Sequence, residues 1–272
     1  MNASDGTHRN ATDRNHPNTT ADGHPEDAQG RHREDARGRH REDAQGGHRE
    51  DTVGAELFPR DRAEIAPGAV HVPDWLDPAA QRDLLGACRE WARPPAGLRT
   101  VRTPGGGTMS ARQVCLGWHW YPYAYARTVV DGDGSPVKPF PDRLADLARR
   151  AVTDALGPAA VPTEPYDIAL VNFYDGDARM GMHRDADERS DAPVVSLSLG
   201  DTCVFRFGNT ETRTRPYTDV DLRSGDLFVF GGPSRLAHHG VPRVRPGTAP
   251  AGLGLTGRLN LTLRVSGFQD AG

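Results

Sequence analysis

Seven short apolar segments, separated by turn-forming residues, run through the chain from residue 166 to residue 265. They are 166–174, 193–200, 202–207, 217–222, 226–230, 236–243 and 258–265. Segments this short are typical of strands rather than helices, and the Gly, Asp and Pro residues between them favour reversals of the chain. The pattern predicts a mainly β fold, a sandwich or jelly roll.

Two helices are predicted upstream of these strands. The first begins at Asp77 and Pro78, an N-cap residue followed by proline at the first helical position, and ends before Pro94. The second begins at Pro141 and stops at Gly157, with Leu and Ala recurring at helical spacing between them. We expect both helices to flank the strands by packing on the outer face of a sheet.

The first 55 residues have a different character from the rest of the chain. They repeat every eight residues, with histidines at positions 8, 16, 24, 32, 40 and 48, and contain almost no aliphatic or aromatic side chains. Such a segment buries too little apolar surface to offset the entropy of ordering, so we predict a disordered tail. Binding of a transition metal by the spaced imidazoles is the alternative.

The remaining residues, 56–272, are predicted to form one domain. Its core spans about 164–266, and the segment 99–140, rich in Gly, Pro and aromatic residues, is expected to form short strands and loops. Without the 8 basic and 11 acidic residues of the tail, the domain has 25 basic and 26 acidic residues. This balance excludes a broadly basic nucleic-acid-binding surface and leaves only a local patch for such contacts.

Several broad classes of protein do not fit the sequence. No apolar run approaches the 18 residues of a membrane span, and no signal peptide is recognised, so neither a membrane nor secretion is expected. The three cysteines are widely spaced and match neither a zinc pattern nor a disulfide framework, which suits a reducing cytoplasm. Nothing indicates oligomerisation, and we expect a monomer.

The segment MHRDADE, residues 182–188, places His183 and Asp185 two positions apart between two apolar runs. In extended backbone, side chains at i and i+2 point to the same side. Two histidines and one carboxylate on one side of a metal form the facial triad of non-haem Fe(II) oxygenases. The second histidine must come from elsewhere, and His238 and His239 stand just before Gly240. A His-x-Asp pair alone is more often a surface feature.

The last predicted strand, RLNLTLRV, alternates strictly. Leu259, Leu261 and Leu263 fall on one face, and the polar side chains of Arg258, Asn260, Thr262 and Arg264 fall on the other. The polar face either lies in water, as in an ordinary half-exposed strand, or lines a cavity for an acidic ligand, because guanidinium groups bind carboxylates in pairs of hydrogen bonds. Asn172 and Tyr174 share a face of the first predicted strand and offer two further polar groups.

Taken together, these motifs resemble the AlkB-type Fe(II)/2-oxoglutarate dioxygenases, which repair alkylated nucleobases. The resemblance covers most of residues 100–265, in which order, spacing and residue types agree, while the tail has no counterpart and 56–95 matches weakly. The motifs that carry it are TPGGGTMS, LGWHWYPYAY, LVNFYDGDARMGMHRDADE, APVVSLSLG, FRFGN, GDLFVFGGPSRLAHHG and RLNLTLR. The resemblance implies that the jelly roll is of the double-stranded β-helix type.

The resemblance implies a metal and a co-substrate. Fe(II) would be held by His183, Asp185 and His239, with His238 as the alternative to the last. 2-Oxoglutarate would chelate the iron through its keto-acid end. Its carboxylates would meet Arg258 and Arg264 in an order that the sequence leaves open. Hydrogen bonds would come from Asn172, Tyr174 and Asn260.

The resemblance also implies the reaction and the substrate. O2 and 2-oxoglutarate would be consumed, a methyl group on a base nitrogen would be hydroxylated, and formaldehyde would leave. The base, in DNA or in RNA, would be flipped out or presented on a single strand. Segment 99–140 would be the nucleotide-recognition lid. Trp118 would stack on the base opposite the His183 ring, and further contacts would come from Tyr123, Tyr125 and Asp187.

The chain departs from the family pattern at two places, and its candidate phosphate contacts rest on residue type alone. Gly107 stands where the family often has an aromatic residue, and the loop 188–192 is one residue shorter than the pattern. These differences bear on substrate preference more than on the reaction. The candidates for phosphate contacts are Arg102, Arg112, Arg127, Arg213 and Arg215.

Two other functions remain open at this stage. A dioxygenase of the same fold could act on a protein or a small metabolite, which the near-neutral domain favours and the aromatic lid disfavours. A jelly roll that binds metal without catalysis would lack a metal ligand or the arginines for the co-substrate, and neither is missing from this sequence.

Overall fold

A computed structural model describes residues 60–268 of the chain. The predicted tail, 1–55, lies outside the described residues. The strands are β1 Ala63–Ala66, β2 Ala69–Val72, β3 Arg99–Arg102, β4 Thr108–Leu116, β5 His119–Tyr121, β6 Ala124–Ala126, β7 Ile168–Tyr174, β8 Met180–His183, β9 Val194–Gly200, β10 Cys203–Phe207, β11 Thr218–Leu222, β12 Leu227–Phe230, β13 His239–Val244 and β14 Arg258–Arg264.

Both predicted helices are present. Helix α1, Pro78–Trp91, begins after Asp77, whose side chain accepts a hydrogen bond from the Ala80 amide at 2.8 Å. Helix α2, Asp142–Leu156, begins after a proline without a side-chain cap and ends at Gly157. Short 3₁₀ helices span Pro158–Ala160, Gly232–Ser234 and Ala251–Leu253.

The strands form two main sheets with antiparallel pairing throughout. The larger has the order β1-β2-β12-β9-β14-β7-β4-β3, and the smaller has the order β11-β10-β13-β8. From β7 onward the chain crosses from one sheet to the other at nearly every connection, and β5 and β6 form a separate hairpin. The mainly β architecture expected from the apolar segments is therefore confirmed.

Strand β8 was not anticipated from the sequence. Its four residues, MGMH, contain no run or alternation of apolar side chains, and glycine is unfavourable within strands. Pairing with β13 holds it at the end of the smaller sheet. The omission matters because His183 is the last residue of β8, so the proposed metal ligand lies on a strand and not in a loop.

The polar face of β14 lies inside the protein. Leu261 and Leu263 are fully buried in the core that also contains Leu144 and Val152 of α2. On the opposite face Arg258 is only 1% exposed. The half-exposed strand is therefore excluded, and the side chains of this face point toward the space between the two sheets. A second apolar cluster, rich in phenylalanine, lines that space beside them.

A buried carboxylate just before β12, that of Asp226, binds the segments that flank and form the β1–β2 hairpin of the larger sheet. Asp226 accepts two hydrogen bonds from Arg60, both at 2.7 Å, one from the Asp74 amide at 3.0 Å, and contacts His71 Nε2 at 2.9 Å. Burial alone would raise the pKa of Asp226, but the hydrogen bonds of His71 and Arg60 outweigh it and lower the pKa to about 2. This cluster lies outside the cavity that contains the site.

Candidate active site

Three side chains from the smaller sheet converge at one point. His183 ends β8 and His239 begins β13, and the two are directly paired across the strands. Asp185 follows two residues after His183, and its carboxylate oxygens lie 3.6 Å from Nε2 of each histidine. Ligand atoms of the three side chains all lie within 4.8 Å of one another, and no other such trio occurs among residues 60–268. One ion can therefore reach all three.

The hydrogen bonds around this triad suit a divalent metal. Nδ1 of His183 contacts the Gly181 carbonyl at 2.9 Å, and Nδ1 of His239 contacts the Ala237 carbonyl at 3.0 Å. Because a carbonyl only accepts, each ring must carry its proton on Nδ1 and offers the lone pair of Nε2. Oδ2 of Asp185 is buried without a hydrogen-bond partner, which leaves a lone pair for a cation.

The protonation states also match metal binding. Burial lowers the pKa of His239 to about 4, so its ring is neutral at pH 7. Burial would raise the pKa of Asp185, but Arg264 and the two histidines lower it to about 2. Two neutral imidazoles and one carboxylate are the donor set that Fe(II) oxygenases use. His238 does not join the triad, because its ring nitrogens are not among the donor atoms that lie within 4.8 Å of one another; its Nδ1 contacts the Asn209 carbonyl at 3.0 Å.

The two arginines of β14 have different surroundings. Arg264 donates to Asp185 Oδ1 and to Glu188 Oε1, both at 2.8 Å, so its charge is already matched. Arg258 donates to the Ser198 hydroxyl at 3.0 Å, and no carboxylate of residues 60–268 forms an ion pair with it. Its Nε is buried without a partner. A buried guanidinium without a counter-charge is costly, and a bound carboxylate would remove that cost.

The other predicted co-substrate contacts lie around Arg258. Tyr174 is its cross-strand partner on β7, and Asn260 is paired with Asn172. The Asn172 side-chain oxygen accepts from Gln113 at 3.1 Å, and Asn260 donates to Ser196 at 2.7 Å. All of these line one cavity. Gln113, Ser196 and Ser198 were missed from the sequence because polar residues within a strand give no sign of the face they occupy.

This cavity has a volume of about 470 Å³, within the usual range for small-ligand sites. The triad, Arg258 and their polar neighbours form what we call the floor. The mouth is bounded by two turns, residues 103–107 between β3 and β4 and Pro122–Tyr123 between β5 and β6, which we call the rim. Residues of the predicted lid segment thus line the same cavity as the triad.

The tryptophan expected to stack on the base occupies a different place. Trp118 does not line the cavity; its Nε1 donates to Asp167 at 3.0 Å, and the Arg127 guanidinium carbon lies 3.6 Å from its ring centroid. Trp120 lines the cavity instead and donates from Nε1 to Asp187 Oδ2 at 2.8 Å. The two tryptophans are only two positions apart, so sequence spacing alone could not show which of them lines the cavity.

The remaining predicted substrate contacts divide similarly. Asp187 and Tyr123 line the cavity, whereas Tyr125 does not. The Tyr125 hydroxyl donates to Glu188 and accepts from Arg264 at 3.2 Å, which ties the lid hairpin to the floor. These contacts give Tyr125 a positioning role, and its expected contact with the nucleotide stays a prediction.

Glu188 is a site residue that the sequence did not single out. Its side chain is fully buried between Arg264 and Arg235, and Arg235 also donates to the carbonyl of Asp185 at 2.6 Å. Burial would raise the pKa of Glu188, but Arg264 lowers it. Glu188 therefore holds Arg264, and through it Asp185, in place. The role of Glu188 could not be predicted, because the sequence of the acid-rich segment 185–188 does not show which acid is solvated and which is buried.

Among the arginines proposed for phosphate contact, only Arg213 lines the cavity. Arg112 pairs with Asp175 on the surface, Arg127 lies over Trp118, and Arg215 lies beside Tyr217. Arg102 is exposed on β3. Arg184, for which the sequence indicated no role, also lines the cavity.

Comparisons with known proteins agree with this geometry. The family model of the 2OG-Fe(II) oxygenase superfamily matches residues 68–264. An alpha-ketoglutarate-dependent dioxygenase AlkB homolog of Caulobacter vibrioides is 40% identical over 205 residues, covering 74% of this chain and 88% of the relative. AlkB of Escherichia coli is 37% identical over 178 residues, 64% of this chain and 79% of the relative.

Plant relatives are similar as well. The DNA N(6)-methyladenine demethylase ALKBH1D of Arabidopsis thaliana is 34% identical over 221 residues, 74% of this chain but only 50% of the relative's length. A solved structure, that of OsALKBH1, superposes with a TM-score of 0.66 at 34% identity, covering 75% of this chain and 100% of that one.

No helix within residues 60–268 is long and apolar enough to cross a membrane.

Paired sheets that enclose an iron-type triad and a buried guanidinium define an oxygenase dependent on Fe(II) and a keto acid. The matches over most of the described residues narrow this class: the chain belongs to the AlkB family of the 2OG-Fe(II) oxygenase superfamily. It is an Fe(II)/2-oxoglutarate-dependent dioxygenase, and O2 is its second co-substrate.

Proposed function

We propose that this enzyme removes methyl groups from alkylated nucleobases, such as 1-methyladenine and 3-methylcytosine, in DNA or in RNA. The observation that carries the proposal is the single cavity in which the triad lies beneath Trp120 and Asp187. An aromatic face and a carboxylate beside it are the groups that bind a cationic methylated base. The names of the Arabidopsis and Escherichia relatives, a demethylase and AlkB, support this choice.

His183, Asp185 and His239 would hold the iron, and Arg258, Tyr174, Asn172 and Asn260 would hold 2-oxoglutarate. When bound, the metal and co-substrate reduce O2 and supply the oxidising equivalent that hydroxylates the methyl group, with release of succinate and CO2. Because Arg258 has no internal counter-charge, it would take the carboxylate remote from the metal. Arg264 is committed to Asp185 and Glu188 and would orient the metal carboxylate.

Base recognition would use the upper part of the cavity. Asp185 and His239 are buried, so a base within a duplex could not reach them, and the target must be flipped out or unpaired. Trp120 would stack on the base opposite the His183 ring, in the role first expected of Trp118. Asp187, held by the Trp120 indole N–H, would accept from an exocyclic amino group or balance the positive charge of the ring. The hydroxylated methyl group would then leave as formaldehyde.

We further propose that the two sheets form a double-stranded β-helix over about residues 164–266, with 99–140 as the nucleotide-recognition lid. The alternation of consecutive strands between the sheets supports this assignment. Monomeric action in the cytoplasm is also proposed. Three buried cysteines that form no disulfide are compatible with a reducing compartment. Sedimentation of the purified chain would test the monomer.

The decisive experiment incubates the full chain with Fe(II), ascorbate, 2-oxoglutarate and an oligonucleotide bearing 1-methyladenine or 3-methylcytosine. We expect the oligonucleotide to lose the mass of one methylene unit and formaldehyde to appear. His183→Ala should abolish both, while the matched control His238→Asn, which alters the neighbouring imidazole outside the triad, should keep them. Co-substrate turnover that responds to a metabolite or a protein, and not to the methylated oligonucleotide, would instead identify a dioxygenase with another substrate.

A further inference from the structure

Tyr123 is the most exposed large hydrophobic residue among residues 60–268, with 78% of its surface open to solvent. It lies in the turn between β5 and β6 at the mouth of the cavity. Tyr121 and Ala124 are the last cross-strand pair, so Pro122 and Tyr123 alone make the turn. The tip of the hairpin therefore exposes an aromatic ring at the entrance to the cavity.

The backbone at this position is unusual for tyrosine. Its φ angle is 70°, a left-handed conformation that favours glycine or asparagine. The ring of Pro122 fixes its own φ angle, and a positive φ at the next residue is the pattern of a type II turn, in which glycine usually occupies that second central position. The tyrosine backbone is therefore strained at this position. Its ring is not buried, and its side chain forms no hydrogen bond within residues 60–268. The fold alone does not account for this side chain.

The hairpin that carries Tyr123 is held firmly at its base. Trp120 donates to Asp187, Tyr125 donates to Glu188, and His119 contacts Asp131 at 2.6 Å. Two of these partners belong to the segment that also supplies the metal carboxylate. Tyr123 therefore keeps a fixed position relative to the floor of the cavity.

The other turn of the rim carries no aromatic residue. It consists of Thr103, Pro104 and three glycines at 105–107, and space beside Gly105 and Gly106 is open. Within the rim, Tyr123 is therefore the one aromatic side chain that a nucleotide entering the cavity would meet.

We propose that Tyr123 enters the gap that a flipped nucleotide leaves in a duplex and stacks there on the neighbouring bases. This inference rests on the proposed function and makes double-stranded nucleic acid a substrate of the same site. Flipping costs the stacking of the target base, and an aromatic ring recovers part of that cost through its π-face. A single strand has no such gap, so the ring should matter chiefly for duplexes.

The test compares wild type with Tyr123→Asn, which removes the ring and tolerates the left-handed turn, and Tyr123→Phe, which retains the ring. With 1-methyladenine in a single strand and in a matched duplex, the duplex-to-single-strand ratio of kcat/KM should fall about tenfold in Tyr123→Asn, equivalent to about 1.4 kcal/mol. Tyr123→Phe should keep the wild-type ratio. Val130→Ala, an exposed apolar residue away from the cavity, is the control.

A second measurement, of fluorescence, does not require catalytic turnover. 2-Aminopurine placed beside the lesion fluoresces when it loses a stacking neighbour, so saturating Tyr123→Asn should leave it brighter in the duplex than wild type or Tyr123→Phe does. Equal brightness, an unchanged activity ratio, or a wild type active on single strands alone would each overturn the role of Tyr123. A wild type inactive on both strands would instead reject the proposed function, and the fluorescence would still decide the role of the ring.

Discussion

The floor and the rim of the cavity differ in burial, in hydrogen bonding and in the elements that form them. Floor residues come mainly from paired strands of both sheets, are largely buried, and have nearly every hydrogen-bonding group occupied; the unoccupied ones are Asp185 Oδ2 and Nε of the two arginines. Rim residues come from short turns, and one of them, Tyr123, is strained and exposed. A floor that must hold a metal and a small anion needs fixed geometry, whereas a rim that meets a large substrate needs accessible surface.

The difference teaches where changes should alter chemistry and where they should alter substrate choice. A substitution in the floor affects groups that are largely buried and already bound to a protein partner, so the partner left behind has few alternatives. A substitution at the rim leaves the floor assembled and changes only what binds above it. The two regions meet through Tyr125 and Glu188, which connect the lid hairpin to the ion pairs around Asp185.

The largest effect is expected from the floor at Arg258. Arg258→Leu should raise the apparent KM for 2-oxoglutarate by about 100-fold or more, because loss of one partner of a buried charge pair costs about 2–5 kcal/mol. The measurement is co-substrate-dependent succinate formation. Arg206→Leu is the matched control, since this surface arginine pairs with Asp219 and lies outside the cavity. An unchanged KM would remove Arg258 from the co-substrate site.

The link between the two regions should have the next largest effect. Glu188→Gln keeps the shape of the side chain but removes the charge that Arg264 and Arg235 share. We expect a drop of about 10–100-fold in Fe(II) affinity or in the rate of 2-oxoglutarate decarboxylation, as for other groups that orient metal ligands.

Titration of Fe(II) and a turnover assay measure these two quantities directly. Asp191→Asn, which alters an exposed acid of the same loop, is the control. If Glu188→Gln binds iron and turns over as wild type does, the ion pairs around Asp185 are structural only.

A smaller effect, confined to the substrate, is expected at Trp120. Trp120→Leu should lower kcat/KM for a methylated oligonucleotide about tenfold, since stacking on one base contributes about 1–3 kcal/mol. Slow decarboxylation without oligonucleotide should persist. Trp118→Leu should chiefly reduce thermal stability, because Trp118 packs against Arg127 and Phe268 outside the cavity. The reverse result would restore Trp118 as the stacking residue.

The smallest effect on activity is expected from the Asp226 cluster, which belongs to neither region. Because its pKa is about 2 when folded and near 4 when unfolded, the stabilisation is present above about pH 5. It should decline by about 2 kcal/mol as the pH falls toward 2. Urea unfolding at several pH values measures this decline. Asp226→Asn should flatten it, and an equally steep decline in that variant would assign the acid sensitivity to other carboxylates.

How much the sequence predicted differs between floor and rim. For the floor, the residue types at His183, Asp185, His239 and Arg258 predicted the chemistry, and the structure brings these side chains together in one cavity. Which arginine has a free charge was not predictable, because it depends on the partners Asp185 and Glu188, which are distant along the chain or hidden among other acids.

For the rim, the sequence predicted a lid at 99–140 but did not distinguish which of its aromatic residues line the cavity. Trp118, Trp120, Tyr123 and Tyr125 lie within eight positions, and a tight hairpin with a strained turn decides which ring points where. Local spacing carries no information about that choice, since it is made by contacts with Asp167, Asp187 and Glu188 from the main sheets.

The sequence by itself determined the class of fold, the two helices and the identity of the groups that suit iron and a keto acid, because periodicity and donor chemistry are properties of the chain. Only the tertiary structure decided that Arg258 is the unmatched guanidinium, that Glu188 supports Asp185, and that Trp120 and Tyr123 face the cavity. These outcomes depend on burial and on partners far apart in the chain, and burial is fixed only when the sheets close over the site.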